Sequence, residues 1–483
     1  MFLLPLNVMR KPMIFILLFL ITIPGLTQKI WTLEDCINYA FDNNLDIKKQ
    51  ILNVESNRLS MLESGLTMLP NLNAYASNTW NWGQTIDMYT NTFATTEVRS
   101  NNFYISTNMT LFNGLTKFNT VKQNQINLLA SKYDLDVLRN SISIAVAGYY
   151  LDILFNIELL DVARNQISIT QEQVIRIQKM VDAGSSAKGD LLNIQAESAA
   201  EELTVVDAEN KLFISNLTLQ QLIDLPVSKD FQIEKPQLKV VELPKDNMSP
   251  EQIFDYALLL RPEIKSADLR VQSAEKSLAI ARGKISPTLS FGASWGTGYS
   301  GAAKEIDTSN PADTILFPIG YTQNSKDVVL SPELKYSYRT KSFGDQLVDN
   351  NNKSIGFSLN IPIFNGWQGR TAISQAKILK NKAELDLDIS KRDLRKSIEQ
   401  SYADAAAALK KFKASEQKVA AQEESFKYTQ QKFDVGMLTS FDFNNAKKDL
   451  AKAQSEVLQA KYDFIFKTTI LDFYMGKPIS INK

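Results

Sequence analysis

Two short turns in the chain are each followed by a carboxylate that could do chemistry. The turns read Asp-x-Gly at residues 182–184 and 434–436, and Asp190 and Asp442 follow them at the same spacing. A carboxylate can act as a general acid or base, or it can cap a helix. The run Thr439-x-x-Asp442 is a capping-box pattern, and the helix dipole favours negative charge in a first helical turn. The residues therefore predict helix capping by Asp442 and leave a second role at this turn open.

The remaining composition argues against catalysis. The 483-residue chain contains no His, which removes the usual general base and the commonest metal ligand. Its only cysteine, Cys36, cannot form an intrachain disulfide, and we expect it to occupy a buried apolar position on a helix. The sequence has no phosphate-cradling glycine loop and no nucleophile motif. It therefore predicts a protein that is not an enzyme and that has no cofactor or metal site. Basic and acidic residues are equal at 53 each, which gives no electrostatic case for nucleic-acid binding.

The N-terminus is predicted to be an export signal over residues 1–27. Arg10 and Lys11 precede the apolar run 13–23, which is too short for a spanning helix. The residues before Cys36 do not match the pattern of a lipid-anchored start. No later apolar run is expected to be long enough to cross a bilayer as a helix, so any membrane crossing must use strands.

The chain contains two copies of one unit. The Phe-Asn-Gly run at 112–114 recurs at 364–366, and Asp190 recurs as Asp442 at the same offset. Extra residues near 303–349 enlarge the second copy, where we expect a longer outer loop. The predicted division is a first repeat over 28–225, a linker over 226–249 and a second repeat over 250–483.

Each repeat is predicted to contain two strands with one apolar face and one face of small polar residues. Apolar and polar side chains alternate strictly in these runs. At roughly ten to twelve residues, such strands match the length of a tilted strand that crosses a bilayer. The four strands are predicted at about 71–82, 102–112, 288–299 and 353–364.

A long helix is predicted after the second strand of each repeat. In the first repeat, Val146, Ile153 and Leu160 belong to a file of apolar residues at heptad spacing, which indicates a coiled coil. A shorter helix returns after the glycine turn, and another helix leads into the strands. Two short helices stacked end to end would therefore run alongside one long helix. The helical hairpins are predicted at 115–225 and 367–476, and the leading helices at 33–69 and 250–286.

Four strands cannot close a barrel, and an open sheet edge in lipid leaves backbone groups unpaired at several kcal/mol each. Copies of the chain must therefore associate. Two chains would give a small barrel with a filled interior, and three would leave room for a channel. The fold class is thus mainly α with a membrane β-barrel, built from two tandem repeats.

The chain resembles the TolC family of outer-membrane efflux proteins over nearly its whole mature length. The resemblance rests on Trp31-Thr32-Leu33-Glu34 at the first helix, the two Phe-Asn-Gly strand exits and the two hairpin turns. It implies a homotrimer with a 12-stranded barrel on an α-helical periplasmic tunnel, in the outer membrane of a Gram-negative-type bacterium. It also implies a periplasmic adaptor and an inner-membrane pump of the RND or ABC type as partners.

The same resemblance assigns roles to the hairpin tips. Its implied pore constriction uses residues beside the turns, here Asp442, Asn445, Asp190 and Asn193. Family members close the pore with a Tyr and an Arg, and here Phe433 and Leu438 occupy those places, which argues against a charge-linked latch of that kind. Gly184 and Gly436 are predicted to supply turns with positive φ that sharpen the tips. The candidate adaptor-docking residues are Gly184, Gly436, Thr439 and Leu438.

The leading functional interpretation is a passive exit duct of an efflux or secretion system. The alternative is a trimeric coiled-coil surface protein without channel activity, which explains the heptads but not the duplicated strand pairs. The sequence does not identify the cargo or the class of pump.

Overall fold

The computed structural model describes residues 29–94, 97–228, 231–236 and 249–480. The predicted export signal lies outside these residues. The elements of the first repeat are β1 (Ile30–Trp31), α1 (Leu33–Asn43), α2 (Leu45–Leu66), β2 (Asn71–Asn81), β3 (Thr85–Ile86), β4 (Phe93–Ala94), β5 (Val98–Asn113), α3 (Thr116–Asp182) and α4 (Lys188–Leu222), followed by β6 (Gln232–Ile233). Those of the second are α5 (Pro250–Leu260), α6 (Pro262–Gly283), β7 (Thr288–Ser300), β8 (Lys304–Ile306), β9 (Asp313–Tyr321), β10 (Val328–Lys335), β11 (Tyr338–Thr340), α7 (Phe343–Asp349), β12 (Asn352–Asn360), α8 (Gln368–Asp434) and α9 (Ser440–Tyr474).

The long helices α3 and α8 have 67 residues each, and the returning helices α4 and α9 have 35 each. Both α2 and α4 pack against α3, which confirms the predicted arrangement of two short helices along one long helix. In α3, Val146 and Ile153 are fully buried and Leu160 is almost so. The heptad file therefore forms the core of the first repeat.

The expectation that no later apolar run is long enough to cross a bilayer as a helix was wrong by length and composition. α3 contains an 18-residue stretch that is long and apolar enough to cross a bilayer, but half of that stretch is buried inside the protein. Since α3 packs against α2, α4, α6 and α9, the apolar stretch is explained by helix packing.

Each predicted leading helix is in fact two helices. In the first repeat, Asn44 ends α1 and caps α2, because its side chain accepts hydrogen bonds from the backbone of Asp46 and Ile47. In the second repeat, Arg261 is extended and precedes Pro262, which disfavours a helical conformation at the residue before it.

The four long strands form one antiparallel sheet in the order β12-β7-β5-β2. The predicted alternation is confirmed, since Phe291 and Phe357 pair their rings 5.3 Å apart on one face and the Ser294 and Ser354 hydroxyls lie 2.8 Å apart on the other. The predicted boundaries were partly wrong, since β5 begins at Val98 and β12 ends at Asn360. Within this sheet β2 and β12 are the edge strands.

The enlarged outer segment of the second repeat is not a simple loop. It contains the β8–β11 pair, the β9–β10 hairpin and the short helix α7. The predicted linker likewise contributes β6, which pairs in parallel with β1.

Cys36 lies at the junction of these elements, on α1, and is fully buried as predicted. Its neighbour Tyr150 on α3 places its hydroxyl 2.8 Å from the Glu234 carbonyl and 3.1 Å from the Trp31 carbonyl. Burial raises the pKa of the Cys36 thiol to about 12, so the thiol is protonated and unreactive at neutral pH.

Candidate functional site at the hairpin tips

The two hairpin tips have the same backbone geometry. After α3, the Gly184 N–H donates to the Val181 carbonyl at 2.9 Å and the Ser185 N–H donates to the Met180 carbonyl at 2.8 Å. After α8, Gly436 and Met437 repeat this pattern. These are Schellman motifs, and both glycines have the expected positive φ, +73° at Gly184 and +77° at Gly436. Among the described residues, no heavy atom beyond the glycine and its two chain neighbours lies within 4 Å of a Cβ built on either glycine, so both tips are open.

The predicted capping box at the second tip is confirmed. The Asp442 N–H donates to the Thr439 hydroxyl oxygen at 3.2 Å, and the hydroxyl donates to the Asp442 carboxylate at 2.6 Å. The first tip does this differently, because Ala187 stands at the cap position and Asp190 instead accepts from the Ser186 hydroxyl at 2.9 Å. Both carboxylates therefore have a structural role in starting the returning helix.

The candidate pore residues occupy matching faces of α4 and α9. Asp442 and Asn445 are three residues apart and exposed, and Asp190 and Asn193 repeat this spacing with Asp190 half-buried. Leu438, a candidate docking residue, is half-buried. A constriction needs these faces from several protomers, so the pore and docking roles remain predictions.

Sequence reasoning missed Arg176 at the second tip. This α3 side chain forms an ion pair with Asp434, donates to the Asp434 carbonyl at 2.8 Å and lies over the Phe433 ring at 5.6 Å. It therefore links the first repeat to the turn of the second. Both charged side chains are more than a third exposed, so the pair contributes roughly 0.2–1 kcal/mol.

A second link between the repeats is buried. Lys447 on α9 is 1% exposed, and its Nζ lies 2.5 Å from the Glu201 carboxylate on α4. The Thr170 hydroxyl on α3 bonds to both side chains. The Glu201 side chain is only 13% exposed, so this carboxylate lies between the helices and not on their solvated surface.

A duplicated helical hairpin carried on an amphipathic four-stranded sheet defines the protomer of a TolC-like channel. The profile of the family described as "Outer membrane efflux protein" matches residues 36–224 and 253–477. The chain belongs to this family, and it is an outer-membrane channel protein of the efflux and secretion type.

Individual relatives agree with this assignment. The chain is 22% identical to the outer membrane efflux protein BepC of Brucella suis, over 75% of this chain and 69% of that protein. It is 23% identical to the alkaline protease secretion protein AprF of Pseudomonas aeruginosa, over 69% of this chain and 61% of that protein. The fold matches the crystal structure of VceC from Vibrio cholerae with a TM-score of 0.72 at 14% identity, over 93% of this chain and 97% of that one.

Proposed function

We propose that three copies of the chain close a 12-stranded barrel and a continuous helical tunnel, which together form a passive exit duct. The observation that carries this proposal is that β2 and β12, the two edges of a sheet with one apolar face, have no further strand partner among the described residues. In lipid those edges must be paired, and pairing β12 of one protomer with β2 of the next closes the ring.

The polar face of the sheet would line the duct. It presents mainly hydroxyl, amide and glycine positions and, within the four described strands, no charged side chain. Such a surface would keep the duct filled with water and would not discriminate strongly between cations and anions. The relatives named for efflux and for protease secretion are consistent with either small-molecule or protein cargo.

Purified protein should be trimeric in mild detergent and should conduct ions across a planar bilayer. A coiled-coil surface protein without channel activity, the alternative function, would not conduct. A stable monomer in mild detergent, or trimers that never conduct, would overturn the proposed duct.

At the periplasmic end, we place the contact with a periplasmic adaptor at the open glycine tips and Thr439 and Leu438 beside them. Asp442 and Asn445, with Asp190 and Asn193, would ring the pore there. An inner-membrane pump of the RND or ABC type would supply the cargo through the adaptor.

Gly436→Val, combined with Gly184→Val, is expected to abolish export while trimers remain intact. A β-branched residue at positive φ strains the turn by roughly 1–2 kcal/mol or more and fills the open space that an adaptor would occupy. Export of a dye from intact cells and trimer content of the outer membrane are the two measurements.

The matched control replaces both glycines by Asn, which adopts positive φ readily but adds a side chain. If the double Asn variant exports normally while the double Val variant does not, the shape of the turn is what matters. If the double Asn variant also fails to export, the open space beyond the turn is needed. Normal export from the double Val variant would contradict the docking role.

A further inference from the structure

The first outer loop, defined here as residues 82–94, folds back onto the sheet. The Tyr89 hydroxyl bonds to the Asn102 side chain and lies 3.4 Å from the Asn101 carbonyl. Tyr89 occupies a notch at Gly298, where a Cβ would overlap the Tyr89 hydroxyl and the Asn101 carbonyl. The absence of a side chain at 298 is therefore what lets Tyr89 lie there.

The strand register places this notch on the polar face. Asn102 pairs with Gly298, and four residues deeper on each strand Ser106 pairs with Ser294, whose hydroxyl lies beside that of Ser354. Side chains at such spacings share one face of a sheet. The first outer loop thus covers the face that would line the duct.

A buried polar junction fixes the loop in place. Asp87 is 5% exposed and accepts hydrogen bonds from the Ser300 hydroxyl and from the backbone N–H groups of Tyr89 and Thr90. Burial acts to raise the pKa of the Asp87 carboxyl, but these hydrogen bonds outweigh it and hold the pKa below its usual value. The carboxylate is therefore charged at neutral pH, and a satisfied buried network of this kind rigidifies what it joins.

On the opposite face of the sheet, the same strand end contacts the short helix α7 of the second repeat. The Phe343 ring of α7 lies 6.4 Å from the Phe103 ring and 5.4 Å from the Tyr299 ring, both on the apolar face. Gln346 from the same helix also bonds to both backbone groups of Ser300. The first outer loop and α7 therefore hold one strand end from opposite sides, with the first outer loop on the polar face.

We propose that the first outer loop is a size-limiting constriction at the outer mouth of the duct, held inward by Tyr89 in the Gly298 notch. The proposal rests on the proposed function, because the polar face must line the channel. Three copies of the loop would surround one axis. Each presents exposed apolar side chains to departing cargo, Ile86, Met88 and Phe93.

Cysteine labelling from outside intact cells tests this constriction in the full-length protein. Asn108→Cys places a thiol on the polar face deeper than the loop, and Met109→Cys places one on the apolar face as a control. The native Cys36 is buried and stays silent. The probes are a small sulfonated maleimide and a large polyethylene-glycol maleimide.

With the loop intact, the small probe should label Asn108→Cys and the large probe should label it slowly. Adding Gly298→Ala, or separately Tyr89→Ala, should speed labelling by the large probe by about tenfold, the change expected when one or two hydrogen bonds that hold the loop are lost. Gly356→Ala on the neighbouring strand β12 is the matched control, since a Cβ there meets no other described residue within 4 Å and the position does not pair with Asn108. It should leave the labelling rate unchanged.

The outcomes separate the two proposals. Fast labelling of Asn108→Cys by the large probe in the otherwise unchanged protein, or equal rates in the Gly298, Tyr89 and Gly356 variants, would overturn the constriction while leaving the duct intact. If intact trimers show no labelling of Asn108→Cys by the small probe, the polar face does not line a wet channel and the proposed duct itself fails. Trimer content is measured for each variant, so that a folding defect in Gly298→Ala is recognised. In that case the labelling rate of the Tyr89→Ala variant tests the constriction.

Discussion

Phe357→Lys is expected to prevent stable membrane insertion, whereas Ser358→Lys, one residue along the same strand, is expected to be tolerated. Phe357 lies on the apolar face of the edge strand β12 and is 70% exposed in the protomer, so in the proposed barrel its ring would face lipid. A lysine on the lipid face costs about 2–4 kcal/mol near the bilayer midplane. A trimer would carry that cost three times. The measurement is the fraction of heat-resistant trimer recovered from the outer membrane.

Ser358→Lys is the matched control, because it adds the same side chain to the opposite face. It pairs with Ser290 on a surface without charged side chains, so three lysines there should shift ion selectivity in a planar bilayer toward anions. Equal loss of trimer from both variants would contradict the assignment of the two faces. Normal insertion of Phe357→Lys would contradict lipid contact at this strand.

The faces of the strands could be predicted from sequence because alternation is a local property. The ends and register of the strands could not. β5 begins at Val98, earlier than the alternation suggested, because Val98 pairs with Asn81 and the partner strand sets the length. The break at Asn44 was missed for a similar reason, since its side chain also donates to the Leu222 carbonyl in a distant helix.

At the hairpin tips as well, features formed by neighbouring residues could be predicted from sequence, and contacts between distant residues could not. The Thr439–Asp442 capping box and the glycine turns could be predicted because each is formed within a few consecutive residues. The Arg176–Asp434 pair joins residues 258 positions apart, and heptad spacing does not say which helix face meets which. For the same reason, the sequence did not show that Lys447 is buried.

Lys447→Met is expected to destabilise the helical region by about 3–5 kcal/mol. Met replaces the lysine stem with an apolar chain one atom shorter and leaves the Glu201 carboxylate, at 13% exposure, without the Lys447 cation. The Thr170 hydroxyl still donates to Glu201, so the lower end of this range is expected. Urea-dependent loss of the helical circular-dichroism signal of detergent-solubilised trimers measures the change.

Two further variants distinguish a broken ion pair from lost packing. Lys448→Met removes the neighbouring pair with Glu197, but Lys448 is 58% exposed, so the change should stay within about 1 kcal/mol. Lys447→Met with Glu201→Leu replaces both buried charges and should recover most of the lost stability, since an apolar pair of similar volume is often as stable as a buried ion pair. Thr170 keeps its bond to the Gln166 carbonyl at 3.2 Å in that double variant. If the double variant is as unstable as Lys447→Met alone, the loss of stability comes from lost packing around the lysine stem. That outcome would contradict a stabilising role for the Lys447–Glu201 ion pair.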